Sequence, residues 1–331
     1  MRTVCVYEDP TMYGTHGITT AVRHQQMALK SVGVNVKKKP VDPYDVMHFN
    51  WYGPISYYQL QRAKRKGKAT IVFAHSGEDV KGGFTLSKYL AKPFIKWLVS
   101  FYTRGDVLIA PSEYTKEMVV SYGINSSDVK VVSNGVEHEK AEFSSKKRKR
   151  YKNKFSLNKP TVIGVGQVIP RKGITTFIEA ARRLPEYDFI WYGTRMNKVL
   201  MYDRKMEKAI HNSPSNVQFS GYVEDIQAAY SSGDLFFFPS HEENQGIVIL
   251  EAAVRGIPIV LRDLPVYRGW LEDGENCLKG ENLDQFVELI REGMEDKPLR
   301  DKLTDRASRM AEKHRLEKVG QQYKEIYDLV L

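Results

Sequence analysis

The sequence contains little cysteine. Its 331 residues include only Cys5 and Cys277, which stand far apart along the chain. Two isolated cysteines do not form the framework of a disulfide-stabilised small domain, and they lack the close spacing of zinc ligands. We therefore interpret both cysteines as buried bystanders, and neither a disulfide scaffold nor a zinc site is indicated.

Long apolar runs are also absent. No stretch approaches the roughly 18 consecutive apolar residues of a membrane-spanning helix, and the first residues, MRTVCVYEDP, predict a strand rather than a secretion signal. We therefore expect a cytoplasmic protein. The sequence has no internal repeat and no Asp-any-Asp motif, and we expect neither a metal ion nor another cofactor.

Acidic residues are scarce in the first half of the chain. Residues 1–155 hold 26 Lys and Arg against 13 Asp and Glu, and the remainder holds 24 against 27, so the net charge of +10 divides into +13 and −3. Such asymmetry favours an acidic partner for the first half, either nucleic acid or an anionic membrane surface. The length is sufficient for two domains with separate cores.

The stretch DLFFFPSHEENQGIVILEAAVRGIPIV, residues 234–260, predicts a β-α-β unit. Residues 235–238 form an apolar run that Pro239 ends, which is typical of a buried parallel strand. Residues 247–255 favour a helix that Gly256 ends, and a second buried strand follows. Because ligands of open parallel sheets bind at the carboxyl ends of strands, the loop 240–246 is the predicted site.

This loop carries suitable chemistry for a phosphorylated sugar. A helix that begins near Gly246 has unpaired N–H groups and a partial positive charge, which can hold a phosphate without a metal. Glu243 precedes that helix end and Glu251 lies about one turn inside it. Carboxylates only accept hydrogen bonds, so both suit paired sugar hydroxyls.

The stretch resembles the retaining glycosyltransferases of family 4, whose signature is Glu, seven residues, Glu, then Ala and a Gly-x-Pro strand. The matching residues are Glu243, Glu251, Ala252, Gly256 and Pro258. The resemblance implies an α/β protein of the GT-B fold, with two Rossmann-like domains facing each other across a cleft. It also implies that the first Glu contacts the donor sugar and the second contacts the ribose.

The same resemblance assigns the backbone amides between the two acids to the sugar and the diphosphate. These amides belong to Asn244, Gln245, Gly246 and Ile247. The family usually has Gly-Phe or a similar pair after the first Glu, whereas this chain has Asn244 and Gln245. The identity of the donor sugar is therefore left open.

A second segment, TVIGVGQVIPRKGITTFIEAARRL, begins with a strand and ends in a helix. Lys172 stands where the helix starts, so its ammonium and the free N–H groups can converge on a diphosphate. Gly166, Lys172 and Gly173 match the family pattern, but Gln167 replaces its arginine, and Arg171 is the candidate substitute. Further on, NVQFSGYV resembles the base-binding turn of the family, which places Tyr222 and Val223 beside the nucleobase.

Two residues of the first half are candidates for the same ligand. Gly17 precedes a predicted helix, where a glycine lets the backbone approach a phosphate, although a plain turn is an equal alternative. Gly14 is a weaker candidate. His75 follows a buried strand, and AHSGEDVKGGFTLS resembles the AHTT-x-EDF segment of glycolipid-forming relatives in family 4.

The segment SKYLAKPFIKWLVSFYTR is basic and amphipathic. Lysines recur at four-residue steps beside aromatic side chains, which predicts a membrane-facing surface; its members are Lys88, Lys92, Lys96, Trp97 and Phe101. An ordinary core helix with a solvated basic edge is the alternative, and the neighbouring QRAKRKGK favours the membrane. Pro93 predicts two short helices, or one helix that has Pro93 in its first turn.

The domain prediction places a membrane- and acceptor-facing domain at 1–150 and a nucleotide-sugar domain at 151–314. A C-terminal helix, about 315–331, crosses back to the first domain. Residues 139–160, which include KKRKR, are charged and poor in apolar residues, so we interpret them as the interdomain connection.

The resemblance points most closely to enzymes that build glucosyl or diglycosyl diacylglycerol. It implies a retaining, metal-independent hexosyltransferase that moves glucose or galactose from a UDP-sugar to a lipid acceptor at the inner face of the plasma membrane. An enzyme of polysaccharide or polyprenyl-linked oligosaccharide synthesis is one alternative. A basic nucleic-acid-binding protein is another, but it leaves Glu243 and Glu251 unexplained, so we expect no nucleic acid.

Overall fold

The computed structural model describes residues 2–11, 16–75, 87–138, 144–195 and 203–331, except for the side chains of residues 16 and 87–91. The chain divides into two units. The first comprises Met1–Val136 with His314–Leu331, and the second comprises Glu137–Lys313.

The first unit is built on six parallel strands. They are β1 (Thr3–Tyr7), β2 (Asn35–Lys37), β3 (Val46–Phe49), β4 (Ala69–Phe73), β5 (Val107–Ala110) and β6 (Val129–Val131), in the order β2-β1-β3-β4-β5-β6. β3 and β4 are buried throughout. Continuous apolar runs form such strands because helices cover both faces of a parallel sheet.

Helices α1 (His16–Ser31), α2 (Pro54–Arg65), α3 (Ser87–Tyr102) and α4 (Glu113–Ser121) belong to the same unit, as does the C-terminal helix (Leu316–Val330). The C-terminal helix packs against α1, and a Cβ at Gly320 would lie 2.1 Å from the carbonyl oxygen of Ala28. Only glycine permits this approach. Farther along, the hydroxyl of Tyr327 lies 2.8 Å from Nδ1 of the buried His48.

Helix α3 differs from its prediction. Pro93 lies inside one continuous helix, Ser87–Tyr102, so the expected division at this proline is wrong. A proline within a helix removes a backbone hydrogen bond. The burial of Leu98 and Phe101 in the core of the first unit compensates for that loss.

The second unit also contains six parallel strands. They are β7 (Thr161–Val165), β8 (Asp188–Tyr192), β9 (Val217–Gly221), β10 (Leu235–Phe238), β11 (Ile259–Arg262) and β12 (Leu278–Gly280), in the order β12-β11-β10-β7-β8-β9. The strand order reverses between β7 and β10, which pair directly. This is the doubly wound arrangement in which ligands bind at the point of reversal.

The helices of the second unit are α5 (Ser145–Lys154), α6 (Ile174–Arg183), α7 (Arg204–His211), α8 (Ile226–Ser232), α9 (Ile247–Val254), α10 (Leu283–Glu295) and α11 (Lys297–Ala311). Several begin at an Asp or Asn whose side chain accepts a backbone N–H, as Asp203 does for α7 and Asn282 does for α10. Such caps satisfy donors that a helix start leaves unpaired.

The basic run KKRKR lies within α5, a helix of the second unit. Lys147 lies 3.2 Å from Asp225 of α8, and Arg148 lies 2.6 Å from Asp234, the residue before β10. The interpretation of this run as interdomain connection is therefore wrong. The division between the units falls at 136/137, whereas the sequence placed it at 150. The sequence did not indicate this helix because the acids that pair with its basic residues lie far along the chain.

None of the helices in the described part of the chain combines the length and the apolar character needed to cross a membrane.

Candidate functional site

The strongest cluster of charged groups lies at the point of strand reversal in the second unit. Loop 166–173 follows β7 and loop 239–246 follows β10, and these two strands are neighbours. Both loops therefore leave the sheet at adjacent carboxyl ends, where doubly wound sheets bind ligands.

Close backbone contact joins the two loops. Gly173 has a φ of +73°, and a Cβ at this position would lie 2.2 Å from the carbonyl oxygen of Pro239. The backbone N–H of His241 donates to the carbonyl of Arg171 at 2.8 Å, and the hydroxyl oxygen of Ser240 lies 3.2 Å from the same carbonyl oxygen. These contacts fix the positions of the charged side chains that the loops carry.

Lys172 and Glu243 form a buried ion pair between the loops. Nζ of Lys172 lies 2.5 Å from Oε1 of Glu243, whose residue is 8% exposed. The Ser240 hydroxyl donates to the same carboxylate oxygen at 2.7 Å, and Nη1 of Arg171 lies 3.9 Å from it. Nζ of Lys172 also lies 4.9 Å from the centre of the Phe238 ring. The sequence predicted Lys172 and Glu243 as separate contacts, whereas the structure pairs them.

The electrostatic balance of this cluster is positive. Burial alone would raise the pKa of Glu243, but the charges of Lys172 and Arg171 and the hydrogen bonds from Lys172 and Ser240 hold that pKa below its ordinary value. The carboxylate is therefore ionised. Two cations surround one anion, and the surplus positive charge favours an anionic ligand.

Arg171 is held by the backbone as well. Its Nη1 donates to the carbonyl of Glu242 at 2.7 Å, so the guanidinium lies along the loop that carries Glu243. Gln167, which stands where the family has an arginine, provides no charge. The described cations of this cluster are thus Arg171 and Lys172, which are neighbours in sequence.

Gly166 lies directly beneath the lysine. It has a φ of +144°, a conformation that strains other residues. A Cβ on Gly166 would lie 3.7 Å from Cε of Lys172, so the lysine stem passes across this glycine. The indole N–H of Trp191 donates to the Gly166 carbonyl at 2.8 Å and fixes the turn.

The start of α9 closes the cluster. Gly246 has a φ of +90° and precedes Ile247, the first residue of the helix. Gln245 is buried and Asn244 is half-buried. The first N–H groups of a helix have no partners within the helix, so this end of α9 complements an anion beside Lys172.

Glu251 lies one turn inside α9 and is half-buried. The hydroxyl of Tyr230 donates to its Oε2 at 2.8 Å, and the guanidinium of Arg255 lies 4.7 Å from the centre of the Tyr230 ring. Burial, followed by the charge of Glu251, raises the pKa of Tyr230 well above its ordinary value. The phenol therefore stays protonated and orients the carboxylate.

The residues predicted beside a nucleobase follow β9. Tyr222 is 67% exposed, whereas most aromatic side chains of the described residues are buried or half-buried, and Val223 is half-buried. An exposed aromatic ring offers a flat apolar face that can stack on a base.

A second polar cluster lies in the first unit, at the carboxyl end of its sheet. Nε2 of His75 donates to Oδ1 of Asn50 at 2.7 Å, and Asn50 exchanges two amide hydrogen bonds with Gln25 of α1, at 2.9 and 2.7 Å. Burial, followed by the nearby His48, lowers the pKa of His75 to about 3. The imidazole is therefore neutral at physiological pH.

The remaining predictions for the first unit have mixed outcomes. Gly17 lies in the first turn of α1 and is exposed, with open space around it. Gly14 and the acids Glu78 and Asp79, which follow His75, lie outside the described residues.

The basic helix α3 presents only part of the predicted surface. Lys92 and Lys96 are exposed, and Trp97 is 38% exposed. The Trp97 ring stacks on Tyr57 at 4.8 Å, and its N–H donates to the carbonyl of Tyr52 at 2.8 Å. The backbone of Lys88 is in the helix, and its side chain lies outside the described part.

The prediction that Phe101 faces a membrane is wrong. This residue is 1% exposed and packs in the core against Phe49 and Tyr57. Helical periodicity identified one apolar face, but it did not distinguish the buried residues of that face from the exposed ones. Trp97 lies at the margin of that face, whereas Phe101 lies at its buried centre.

Sequence reasoning missed three partners in the two clusters, namely Ser240, Asn50 and Gln25. Asn50 directly follows β3, so a polar residue at a strand end was the available signal. Ser240 was part of the predicted loop, but its short bond to Glu243 depends on the loop conformation. Gln25 lies in the middle of a helix, and nothing in the local pattern distinguishes it.

Among the described residues, no group of three His, Cys, Asp or Glu side chains is placed to hold a metal ion.

Known families match both units. The family Glycosyl transferases group 1 matches residues 145–310, and Glycosyltransferase Family 4 matches residues 29–140. Together with the two doubly wound sheets, these matches define a glycosyltransferase of the GT-B fold, as the sequence predicted. The chain belongs to the family 4 glycosyltransferases.

Individual relatives match all or nearly all of the chain. The processive diacylglycerol alpha-glucosyltransferase of Acholeplasma laidlawii is 34% identical over 336 residues, covering 100% of this chain and 99% of that protein. The alpha-galactosylglucosyldiacylglycerol synthase of Streptococcus pneumoniae (strain ATCC BAA-255 / R6) is 29% identical over 317 residues. The match covers 93% of this chain and 83% of the synthase.

A solved structure shows the same fold at low identity. Anabaena Alr3699/HepE, crystallised with UDP-glucose, superposes with a TM-score of 0.81 at 16% identity, covering 99% of this chain and 100% of its own. At this identity the likeness shows the fold alone.

Proposed function

We propose that the protein transfers a hexose, glucose or galactose, from a UDP-sugar to a diacylglycerol-type lipid and retains the anomeric configuration. The observation that carries the proposal is the positive cluster of Arg171, Lys172 and Glu243 at the strand reversal of the second unit. The names of the two relatives support the lipid acceptor, and the UDP-glucose complex of HepE supports the donor.

The donor would lie along the second unit with its diphosphate at the surplus positive charge. Lys172, Arg171 and the start of α9 bind the diphosphate in this proposal. Glu243 accepts hydroxyls of the sugar, and Glu251 accepts those of the ribose. The amides of residues 244–247 complete the site, and Tyr222 and Val223 contact the base.

The chemical step would depend on stabilisation of the leaving group. As the bond between the sugar and the diphosphate breaks, negative charge grows on the diphosphate, and Lys172 and Arg171 are already in place to stabilise it. A retaining reaction at the front face of the sugar needs no nucleophilic side chain. The departing phosphate accepts the proton of the acceptor hydroxyl.

His75 has a positioning role in this proposal. Its imidazole is neutral and anchored to Asn50, so it serves as a hydrogen-bonding group for a sugar hydroxyl rather than as a general acid. Gly17 leaves the first turn of α1 open, and its approach to a phosphate stays a prediction.

A lipid acceptor requires that the enzyme bind at a membrane surface. Lys92 and Lys96 are exposed beside the half-exposed Trp97, a combination that suits anionic headgroups and an interfacial aromatic ring. We propose peripheral binding of the first unit to the inner face of the plasma membrane.

The test is a product assay with radiolabelled UDP-glucose, UDP-galactose and GDP-mannose, each offered diacylglycerol, glucosyl-diacylglycerol or polyprenyl phosphate in mixed vesicles. The proposal expects a radioactive glycolipid from one UDP-hexose and a diacylglycerol-type acceptor, formed about 10²–10³-fold more slowly by the K172M variant. Label only in polyprenyl phosphate, or only from GDP-mannose, would contradict it.

A further inference from the structure

A cavity of about 640 Å³ opens in the first unit, apart from the residues assigned to sugar transfer. Its lining comes from the end of β1, the segment after β2 and helix α2, and comprises Tyr7, Glu8, Pro10, Lys39, Pro40, Val41, Asp42, Gln59 and Arg62. This volume lies within the range of roughly 300–1,000 Å³ that is usual for small-molecule sites. The cavity is therefore large enough for an organic ligand.

The acids of the lining are already neutralised. Glu8 lies 3.0 Å from Nζ of Lys38 and accepts the amide N–H of Gln26 at 2.8 Å. Asp42 is paired with Lys66. Neither Lys38 nor Lys66 lines the cavity, so outside cations compensate both carboxylates.

The two cations of the lining, Lys39 and Arg62, do not form ion pairs with the acids of the lining. Lys39 and Arg62 have no ion-pair partner within 4.0 Å among the described residues, and Arg62 acts on Asp42 only at longer range. Both side chains are exposed. The cavity therefore keeps two uncompensated positive charges.

Tyr7 adds a hydroxyl group to the lining. The residue is 5% exposed and lines the cavity, and no hydrogen bond joins its hydroxyl to another group in the described part of the chain. Burial, followed by the charge of Asp9, raises the pKa of Tyr7 to about 12, so the phenol remains protonated. The hydroxyl can therefore donate a hydrogen bond to a ligand in the cavity.

Apolar groups complete the lining. Pro10, Pro40 and Val41 lie beside the polar groups, and Val41 is 64% exposed, which leaves its side chain available for contact. A guanidinium fork, an ammonium and a phenol are donors that suit an oxyanion with several acceptor oxygens. The apolar rim suits a short carbon chain attached to that oxyanion.

We propose that this cavity binds a phosphate ester of glycerol, with its phosphate held by Arg62, Lys39 and the hydroxyl of Tyr7 and its glycerol carbons against Pro40 and Val41. Two sources provide this chemistry, a free glycerol phosphate and the headgroup of a lipid such as phosphatidylglycerol. The proposal concerns binding only and does not depend on the sugar-transfer site.

The first experiment titrates sn-glycerol 1-phosphate into the full chain by calorimetry, with inorganic phosphate in parallel. We expect saturable binding of the ester that weakens about tenfold in R62Q, as befits the loss of a charge-assisted bidentate contact. Y7F should weaken it several-fold. R65Q on the same helix and Y58F, whose ring is exposed, are matched controls and should bind as the wild type does.

The second experiment separates the sources by co-sedimentation with phosphatidylcholine vesicles that contain phosphatidylglycerol. If the lipid is the source, the soluble ester competes with the vesicles, and R62Q binds them less well than R65Q. If a free ester is the source, R62Q loses only the soluble ligand. Equal binding by R62Q and R65Q in both experiments, or no saturable binding to the wild type, would overturn the proposal.

Discussion

Two buried polar clusters occupy similar places in the two sheets and differ in charge. In the second unit, Lys172 and Glu243 form an ion pair beside Arg171. In the first unit, His75, Asn50 and Gln25 form a neutral chain of hydrogen bonds. Both clusters lie at carboxyl ends of parallel strands, so the fold provides the place and the side chains decide the chemistry.

The difference suits the two clusters to different ligand groups. A cluster with surplus positive charge can stabilise a diphosphate, above all when the charge of that group grows during bond cleavage. A neutral cluster of imidazole and amides suits uncharged hydroxyls. We therefore propose that the diphosphate binds in the second unit.

The largest effect is expected for Lys172→Met. The substitution keeps much of the side-chain length and removes the charge, so turnover should fall by about 10²–10³, or roughly 3–4 kcal/mol of transition-state stabilisation. Donor affinity should fall less, because the charge on the diphosphate is greatest during cleavage. Steady-state kinetics with separate kcat and KM values check this, and K208M on the exposed Lys208 is the control.

The same variant also leaves Glu243 buried with only Arg171 nearby. K172M should therefore unfold at a lower temperature, and the double variant K172M/E243Q should recover stability without recovering turnover, because the uncompensated charge is gone. Thermal unfolding measures the first property. Unchanged turnover in K172M would contradict its role at the diphosphate.

Glu251→Gln tests the other carboxylate of the second unit. Its side chain keeps an acceptor for Tyr230 but loses the charge proposed to receive the ribose hydroxyls, so donor affinity should fall by about 1–3 kcal/mol. Calorimetry with the UDP-sugar measures the loss, and Y230F should cause a smaller loss by releasing the carboxylate. Wild-type affinity in E251Q would remove this residue from the site.

The neutral cluster predicts a dependence of stability on pH. Because the pKa of His75 is about 3 in the folded chain and 6.5 ordinarily, the unfolded chain gains a proton first as the pH falls below 6.5. The contribution of neutral His75 to the free energy of unfolding is complete above pH 6.5 and declines towards pH 3. The decline is at most about 1.4 kcal/mol per pH unit for one proton. His75→Gln should remove this part of the slope in denaturant unfolding across that window. Parallel slopes for the two proteins would show that His75 takes up its proton over the same pH range in the folded and unfolded chains, which would contradict its lowered pKa.

The smallest effect is expected at the membrane surface. If Lys92 and Lys96 face anionic headgroups, each contributes roughly 1 kcal/mol at low ionic strength, and salt reduces this contribution. The triple variant K88Q/K92Q/K96Q should lose its preference for anionic vesicles in co-sedimentation and keep some binding to neutral ones through Trp97. Wild-type binding to anionic vesicles by the triple variant would mean that these lysines are a solvated edge.

Much of the fold followed from sequence. The run LFFF and the Gly-x-Pro after α9 predicted a buried β-α-β unit. A short apolar run that ends at Pro or Gly is compatible with few structures other than a buried strand. The family, the GT-B fold and the enzyme class were confirmed. Pro93 and KKRKR misled because the packing of Phe101 and the partners Asp225 and Asp234 are tertiary features that local patterns do not contain.

The sequence named charged residues that the structure brings together, but it did not indicate the bonds between them. Glu243 and Lys172 stand on loops 71 residues apart, and only the pairing of β7 with β10 brings them to 2.5 Å. The ionised state of a buried carboxylate depends on that distance. Asn50 and Gln25 were missed for the same reason, since their amide pair depends on how α1 packs against the sheet.

The most direct test of the charge division is calorimetric titration of UDP into the wild type, K172M and H75Q. UDP carries the full charge of the leaving group, so its affinity should fall at least tenfold in K172M, more than that of the UDP-sugar does, and stay within about twofold in H75Q. Equal UDP affinity in K172M and the wild type, or a larger loss in H75Q than in K172M, would contradict the assignment of the diphosphate to the second unit.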